Sequence, residues 1–299
     1  MTNFVLALTA SALALPALHG VNGAQDASEV DIVAIKTDRN ARMTVPVRIG
    51  ANGPYDFLID TGAQNTVLSK TLAAQLALVS TRKARLVGIA GSEIVDTVDV
   101  DEIGLGRRSY YSLIAPLLDQ ANIGADGIVG LDTLQGQRVL LDFRRRLITI
   151  GDAKSLGGNR GYEIVVTAKR RSGQLIMADA TIDGIRTEVV IDTGAENSIG
   201  NLALQRALAR RHDHGTTMLV SVTGQEIEAS LGYARKLTIA DMSINNLQIA
   251  YADGPAFAAL DLDKRPALLL GMRDLRSFDR VAIDFATRKV LFDLPREAF

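Results

Sequence analysis

Residues 57–66 read Phe-Leu-Ile-Asp-Thr-Gly-Ala-Gln-Asn-Thr, and residues 189–198 read Val-Val-Ile-Asp-Thr-Gly-Ala-Glu-Asn-Ser. The two aspartates, Asp60 and Asp192, stand 132 positions apart. Three further blocks repeat in the same order. VGIAGSEI at 87–94 is echoed by VSVTGQEI at 220–227, GIVGL at 127–131 by LLLGM at 268–272, and VLLDFRRRLITI at 139–150 by VAIDFATRKVLF at 281–292. One Asp-Thr-Gly is a weak signal, since it also suits an ordinary strand-ending turn. Two copies, each inside a longer repeated pattern, indicate that the chain carries one unit twice.

Each copy reads as mainly β. Thr44 to Ile49 alternates, Asn52-Gly53-Pro54 reads as a turn, and Tyr55 to Ile59 forms a strand that delivers the Asp-Thr-Gly loop. In the second copy Met177 to Ile182, Asp183-Gly184 and Thr187 to Ile191 repeat that plan. Short helices follow: Ser69 is placed to cap Lys70 to Leu78, and Asn201 to Arg211 carries an apolar face. The glycine-rich stretch 151–161 reads as a linker. The expected organisation is therefore a signal segment over 1–24, an N-terminal lobe over 30–150, the linker, and a C-terminal lobe over 162–297.

The signal reading rests on Phe4 to Leu18, which is uncharged and apolar or small throughout but short for a bilayer span. An uncleaved membrane anchor and a buried helix are the rival readings, because no Lys or Arg precedes it. Export would put the chain in the periplasm or outside the cell, with no stable membrane insertion after cleavage.

Composition narrows the chemistry. With 33 Lys and Arg against 34 Asp and Glu, the net charge is −1, and the basic excess expected of a nucleic-acid binder is missing. Zero cysteines exclude disulfides, thiolate metal sites and a cysteine nucleophile. Three histidines, His19, His212 and His214, leave little for a metal site or a Ser-His pair, and His212-Asp213-His214 reads as a solvated loop. Arg144 to Arg146 and Lys169 to Arg171 read as exposed hairpin tips, and Tyr110-Tyr111 as sheet packing. Carboxylates remain. Two held close together cannot both ionise, so they share one proton: the ionised member takes a proton from water while the other polarises a carbonyl.

The paired motifs Leu58 to Ala63 and Val190 to Ala195, with the downstream hydrophobic-hydrophobic-Gly at Ile128-Val129-Gly130 and Leu269-Leu270-Gly271, resemble aspartic proteases of the retropepsin and pepsin clan. The likeness is to two retropepsin-like halves in one chain, as in bacterial-type members, and covers most of the sequence after about residue 40. It implies two pseudo-symmetric β-barrel lobes around a cleft, Asp60 and Asp192 as the catalytic dyad, and Thr61, Gly62, Thr193 and Gly194 as its supports. It also implies covering hairpins, or flaps, at Gly88, Ile89, Ala90 and Gly91 and at Val222, Thr223 and Gly224.

The implied activity is that of an aspartic endopeptidase acting as a monomer on peptide or protein, with no metal or other cofactor. A non-catalytic peptide binder on the same scaffold and an enzyme active only as a dimer of chains are the alternatives. Departures from the pepsin pattern are Ala63 and Ala195 where pepsins carry a hydroxyl and the missing flap tyrosine, and a departure from the retropepsin pattern is Gln64 where retropepsins usually carry Asp, while the other half keeps an acid, Glu196. Losing a hydroxyl that favours the charged carboxylate predicts a dyad that titrates above that of pepsin.

Overall fold

The computed structural model describes residues 31–34, 36–37, 43–208 and 215–295. The expected signal segment 1–24 and the His212 to His214 loop lie outside them. The first half runs β1 (Asp31–Ala34), β2 (Lys36–Thr37), β3 (Met43–Ile49), β4 (Asn52–Ile59), β5 (Val67–Ser69), α1 (Lys70–Gln75), β6 (Ser80–Gly88), β7 (Gly91–Leu105), β8 (Arg108–Leu118), α2 (Gln120–Ile123), β9 (Gly127–Val129), α3 (Leu131–Leu134), β10 (Arg138–Asp142) and β11 (Leu147–Gly151). The second runs β12 (Ile164–Thr167), β13 (Lys169–Arg171), β14 (Gln174–Ile182), β15 (Ile185–Ile191), β16 (Ser198–Gly200), α4 (Leu202–Leu208), β17 (Thr216–Val220), β18 (Glu226–Ile239), β19 (Met242–Tyr251), α5 (Pro255–Ala259), β20 (Ala267–Leu270), α6 (Met272–Leu275), β21 (Arg280–Asp284) and β22 (Lys289–Asp293).

The duplication holds strand by strand. One eight-stranded sheet has the order β2-β3-β4-β9-β5-β8-β7-β6, the other β13-β14-β15-β20-β16-β19-β18-β17. Pairing of β3 with β7, and of β14 with β18, closes six strands of each into a ring. In both lobes the strand that ends at Asp-Thr-Gly lies parallel to the strand bearing the hydrophobic-hydrophobic-Gly, with Ile59 opposite Val129 and Ile191 opposite Leu270. Phe57 to Ile59 and Val189 to Ile191 are buried without alternation, as befits central strands covered on both faces.

A third sheet, β1-β11-β10-β21-β22-β12, spans the two halves, with Leu140 opposite Ala282 where they meet. One apolar core runs from Val45 and Val47 through Leu141 to Ile283 and Phe292, so the lobes share an interior.

Local details depart from the sequence reading. The first hairpin turns at Gly50-Ala51: Gly50 adopts φ +53°, its N–H donates to the Glu102 carbonyl at 3.0 Å, and Ile49 already pairs with Asn52. Ser69 does cap α1, accepting from the Leu72 N–H at 3.0 Å, but the helix stops at Gln75 because Ala77 is left-handed at φ +53°. Asn201 caps α4 through the Leu204 N–H at 2.8 Å. Lys169 to Arg171 form a strand whose turn is Ser172-Gly173, and Arg171 reaches the Asp261 carbonyl at 3.0 Å. Successive strand residues face opposite sides, so Tyr110 packs on the core while Tyr111 is exposed.

Where β10 meets β21, Arg138 is buried against Asp284 at 2.8 Å, both 1% exposed, and its remaining donors reach the Gly158 carbonyl and Asn159. Arg138→Met leaves a buried carboxylate unpaired and is expected to cost about 3–5 kcal/mol, seen as a lowered thermal midpoint. Arg144→Met, at an exposed ion pair with Asp279, is expected to cost under about 1 kcal/mol. Equal effects would show that the buried pair does not fasten the halves.

Candidate active site

Asp60 and Asp192 sit on the two loops that leave β4 and β15, and they meet at the floor of one cavity. The loops hold each other. Thr61 Oγ1 donates to the Ile191 carbonyl at 2.8 Å and accepts from the Thr193 N–H at 3.2 Å. Thr193 Oγ1 donates to the Ile59 carbonyl at 2.7 Å and accepts from the Thr61 N–H at 3.0 Å. Both threonines are buried, so each bond replaces water that cannot enter.

The glycines of the motif are required by space. A methyl group on Gly62 would lie 2.8 Å from Asp192 Oδ1, and one on Gly194 would fall on the Asp60 carboxylate. Each lobe's glycine is thus packed against the other lobe's acid. Main-chain N–H groups point at both carboxylates: Gly62 and Ala63 donate to Asp60 Oδ1 at 2.7 and 3.0 Å, Gly194 and Ala195 to Asp192 Oδ1 at 3.1 and 3.2 Å. Burial foremost, then the neighbouring Asp60 charge, pushes the Asp192 carboxyl up to about 7 against the pull of those N–H groups. The pair therefore keeps a proton up to about neutral pH, and the titration belongs to the pair.

Behind the loops, the hydrophobic-hydrophobic-Gly segments thread through. The Asp60 and Asp192 N–H groups donate to Val129 and Leu270 carbonyls at 3.1 and 3.0 Å, while Leu131 and Met272 N–H groups return to Ala63 and Ala195 carbonyls at 2.8 and 2.9 Å. A methyl on Gly130 or Gly271 would strike the Asn65 or Asn197 main chain. Two carboxylates the sequence reading passed over complete the brace. Asp132 accepts from Thr66 Oγ1 at 2.7 Å and from its N–H, and Asp274 accepts from Ser198 Oγ. Burial raises both carboxyls above the ordinary aspartate range.

The two predicted flaps are hairpins, β6–β7 with its tip at Ile89-Ala90 and β17–β18 with its turn at Ser221 to Gln225. They cross. Ile89 packs on the apolar cluster of the second lobe and closes on Gly254, where a methyl would meet the Ile89 carbonyl at 2.6 Å. Val222 packs on the cluster of the first lobe, and Gly224 closes on Asn122. Gly91 of one tip meets Gln225 of the other. Of the predicted residues, Gly88, Ile89 and Val222 line the cavity over the carboxylates, whereas Ala90, Gly91, Thr223 and Gly224 do not.

The cavity holds about 480 Å³, within the ~300–1,000 Å³ usual for ligand sites. It is lined also by Gln174, buried at 2% exposure, whose Nε2 donates to the Gly62 carbonyl at 2.6 Å. Nothing in the repeat pattern singled this residue out. Among the described residues no cluster of three or more His, Asp or Glu is arranged to hold a metal ion. No helix there is long and apolar enough to cross a membrane.

Comparison with known proteins adds two findings. A family model described as aspartyl protease matches residues 45–133 and again 178–273, together more than half of the chain. A curated protein of Arabidopsis thaliana, Protein DNA-DAMAGE INDUCIBLE 1, is 30% identical over 110 residues, which cover 35% of this chain and 26% of that protein.

A carboxyl that holds its proton more tightly folded than unfolded favours the fold at low pH, and loses that advantage as pH climbs from the ordinary aspartate value of about 3.9 to about 7. Asp192→Asn removes this titration. Its melting temperature relative to the native chain is expected to rise steadily between about pH 4 and pH 7 and to level off above. A difference that does not vary with pH would contradict the raised carboxyl.

Proposed function

The chain belongs to the aspartyl protease family, as two retropepsin-like halves in one polypeptide, and on that premise we propose that it is an aspartic endopeptidase whose catalytic dyad is Asp60 and Asp192. The observation that carries this reading is the mutual packing of glycine and carboxylate across the lobes, which forces two acids to share one buried site. A module that only bound peptide would gain nothing from that repulsion.

In the proposed reaction the pair enters with one proton, held by Asp192, and with Asp60 ionised. Asp60 takes a proton from a water molecule as its oxygen attacks the peptide carbonyl carbon, and Asp192 gives its proton to the carbonyl oxygen. The tetrahedral diol then collapses: the C–N bond breaks, Asp60 returns its proton to the departing nitrogen, and Asp192 recovers one from a diol hydroxyl. The N–H groups of Gly62, Ala63, Gly194 and Ala195 keep the carboxylates oriented throughout. The crossed hairpins shield the site from bulk water, and one chain suffices because both acids are its own. The uncharged apolar run Phe4 to Leu18 supports action outside the cytoplasm.

Incubation of the chain with a peptide library between about pH 3 and 8 tests this. Cleavage is expected to fall as pH rises through about 7, where the dyad loses its shared proton. Asp60→Asn and Asp192→Asn are each expected to lose at least about 100-fold in kcat. Undiminished cleavage by Asp60→Asn, or a profile peaking near pH 2 as in pepsin-like titration, would overturn the reading.

A further inference from the structure

The cavity above the carboxylates is not shared equally by the lobes. On the second-lobe side it takes in the three residues after the loop glycine, Ala195, Glu196 and Asn197, with Leu260 and Leu269 beneath. The matching first-lobe residues, Ala63, Gln64 and Asn65, do not line it, and Ala63 is wholly buried where Ala195 is half-buried.

The chain itself occupies the missing half. From the second lobe, the β13–β14 turn lies over the first-lobe loop: Gln64 donates from Nε2 to the Ser172 carbonyl at 2.9 Å, and Gly173, left-handed at φ +84°, sits against Gln135. Next in line, Gln174 puts its carboxamide on the Gly62 carbonyl at 2.6 Å. That carbonyl accepts and cannot donate, so the orientation of the amide is fixed: Nε2 faces Gly62, and Oε1 is left buried with no partner among the described residues. A carboxamide carries the same donor and acceptor as a peptide group. A substrate N–H that displaced it would exchange one hydrogen bond for another and strand a buried amide, with little net gain. On the second-lobe side Glu196 lines the cavity, with Oε1 on Arg276 at 2.7 Å and Oε2 buried and unmatched among the described residues.

We propose that Gln174 makes the cleft one-sided: its carboxamide stands in for substrate backbone in the first-lobe half, so that a peptide is gripped along the second-lobe half alone. This rests on the peptide-cleft reading above and assigns Gln174 as the residue that sets the asymmetry. Specificity is then confined to residues on one side of the bond cut, and the other side tolerates extensive change.

Peptides containing statine, whose hydroxyl occupies the place of the tetrahedral intermediate, measure binding apart from hydrolysis. A series trimmed residue by residue from either end is titrated against the full native chain by thermal shift and by inhibition. Trimming one end is expected to weaken binding about tenfold per residue and trimming the other less than about threefold, the former being the loss of one or two hydrogen bonds. Gln174→Ala is expected to make the indifferent end sensitive, by at least about fivefold. Equal sensitivity of the native chain to both ends overturns the proposal, and so does a Gln174→Ala protein that binds but stays one-sided. Should that variant fail to fold, the native series decides alone. One-sided binding without cleavage of any peptide sinks the hydrolytic reading and leaves this one standing; cleavage with two-sided dependence does the reverse. A native chain that binds no statine peptide overturns this proposal, and one that also cleaves no peptide overturns both.

Discussion

Two buried threonine hydroxyls hold the centre of this molecule. Each accepts the other loop's N–H and donates to the last strand carbonyl of the opposite lobe, so four hydrogen bonds of 2.7 to 3.2 Å cross the axis within a few residues. The partners are main chain, and leaving one such buried group unpaired costs about 1–3 kcal/mol. Neither loop can withdraw without stranding groups on both sides. The rest follows from that fixed separation: the glycines exist because no Cβ fits between loop and opposing acid, and the Asp192 carboxyl is raised first by its burial there and then by an acid that cannot move away.

Much of this was legible because its chemistry is local. Strand, turn, acid, threonine and glycine lie within ten contiguous residues in each copy, and the hydrophobic-hydrophobic-Gly blocks read as unbroken apolar runs because parallel neighbours bury both of their faces. The illegible parts are those that depend on distance or on divergence between the copies. Gln174 is 112 positions from the carbonyl it holds, and no spacing rule joins them. Asp132 and Asp274 stand two and three places after the repeated glycine, so a block alignment sets Asp132 opposite Arg273 and hides their common role. The Gly53-Pro54 dipeptide drew the first turn to the wrong place, because long-range pairing with β7 through Glu102 had already fixed it at Gly50.

The lobes interlock at three heights. The shared sheet joins them below, the threonines at the centre, and the crossed hairpins above, where Ile89 and Val222 each sit in the apolar cluster of the opposite lobe. Opening the cavity from above would part these side chains from two apolar clusters, so the hairpins act as mutual latches whose apolar contacts oppose opening. The polar fastening of Gln64 and Gln174 lies on one side of this arrangement only, so pseudo-symmetry of backbone coexists with asymmetry of chemistry.

The junction of the shared sheet has a further meaning. Strand β10 reads Arg-Val-Leu-Leu-Asp and β21 reads Arg-Val-Ala-Ile-Asp, and they lie antiparallel with Arg138 opposite Asp284 and Asp142 opposite Arg280. A strand with a cation at one end and an anion at the other is complementary to its own reversed copy. The seam inside this single chain is thus isologous, of the kind that joins identical subunits about a two-fold axis. Divergence shows at one end only: Arg138 keeps its cross-seam partner, while Arg280 has turned to Asp293 at 2.7 Å and stacks on Tyr162. What is a subunit interface in form has become an internal strand pair, freed at one of its ends from the obligation to be symmetric.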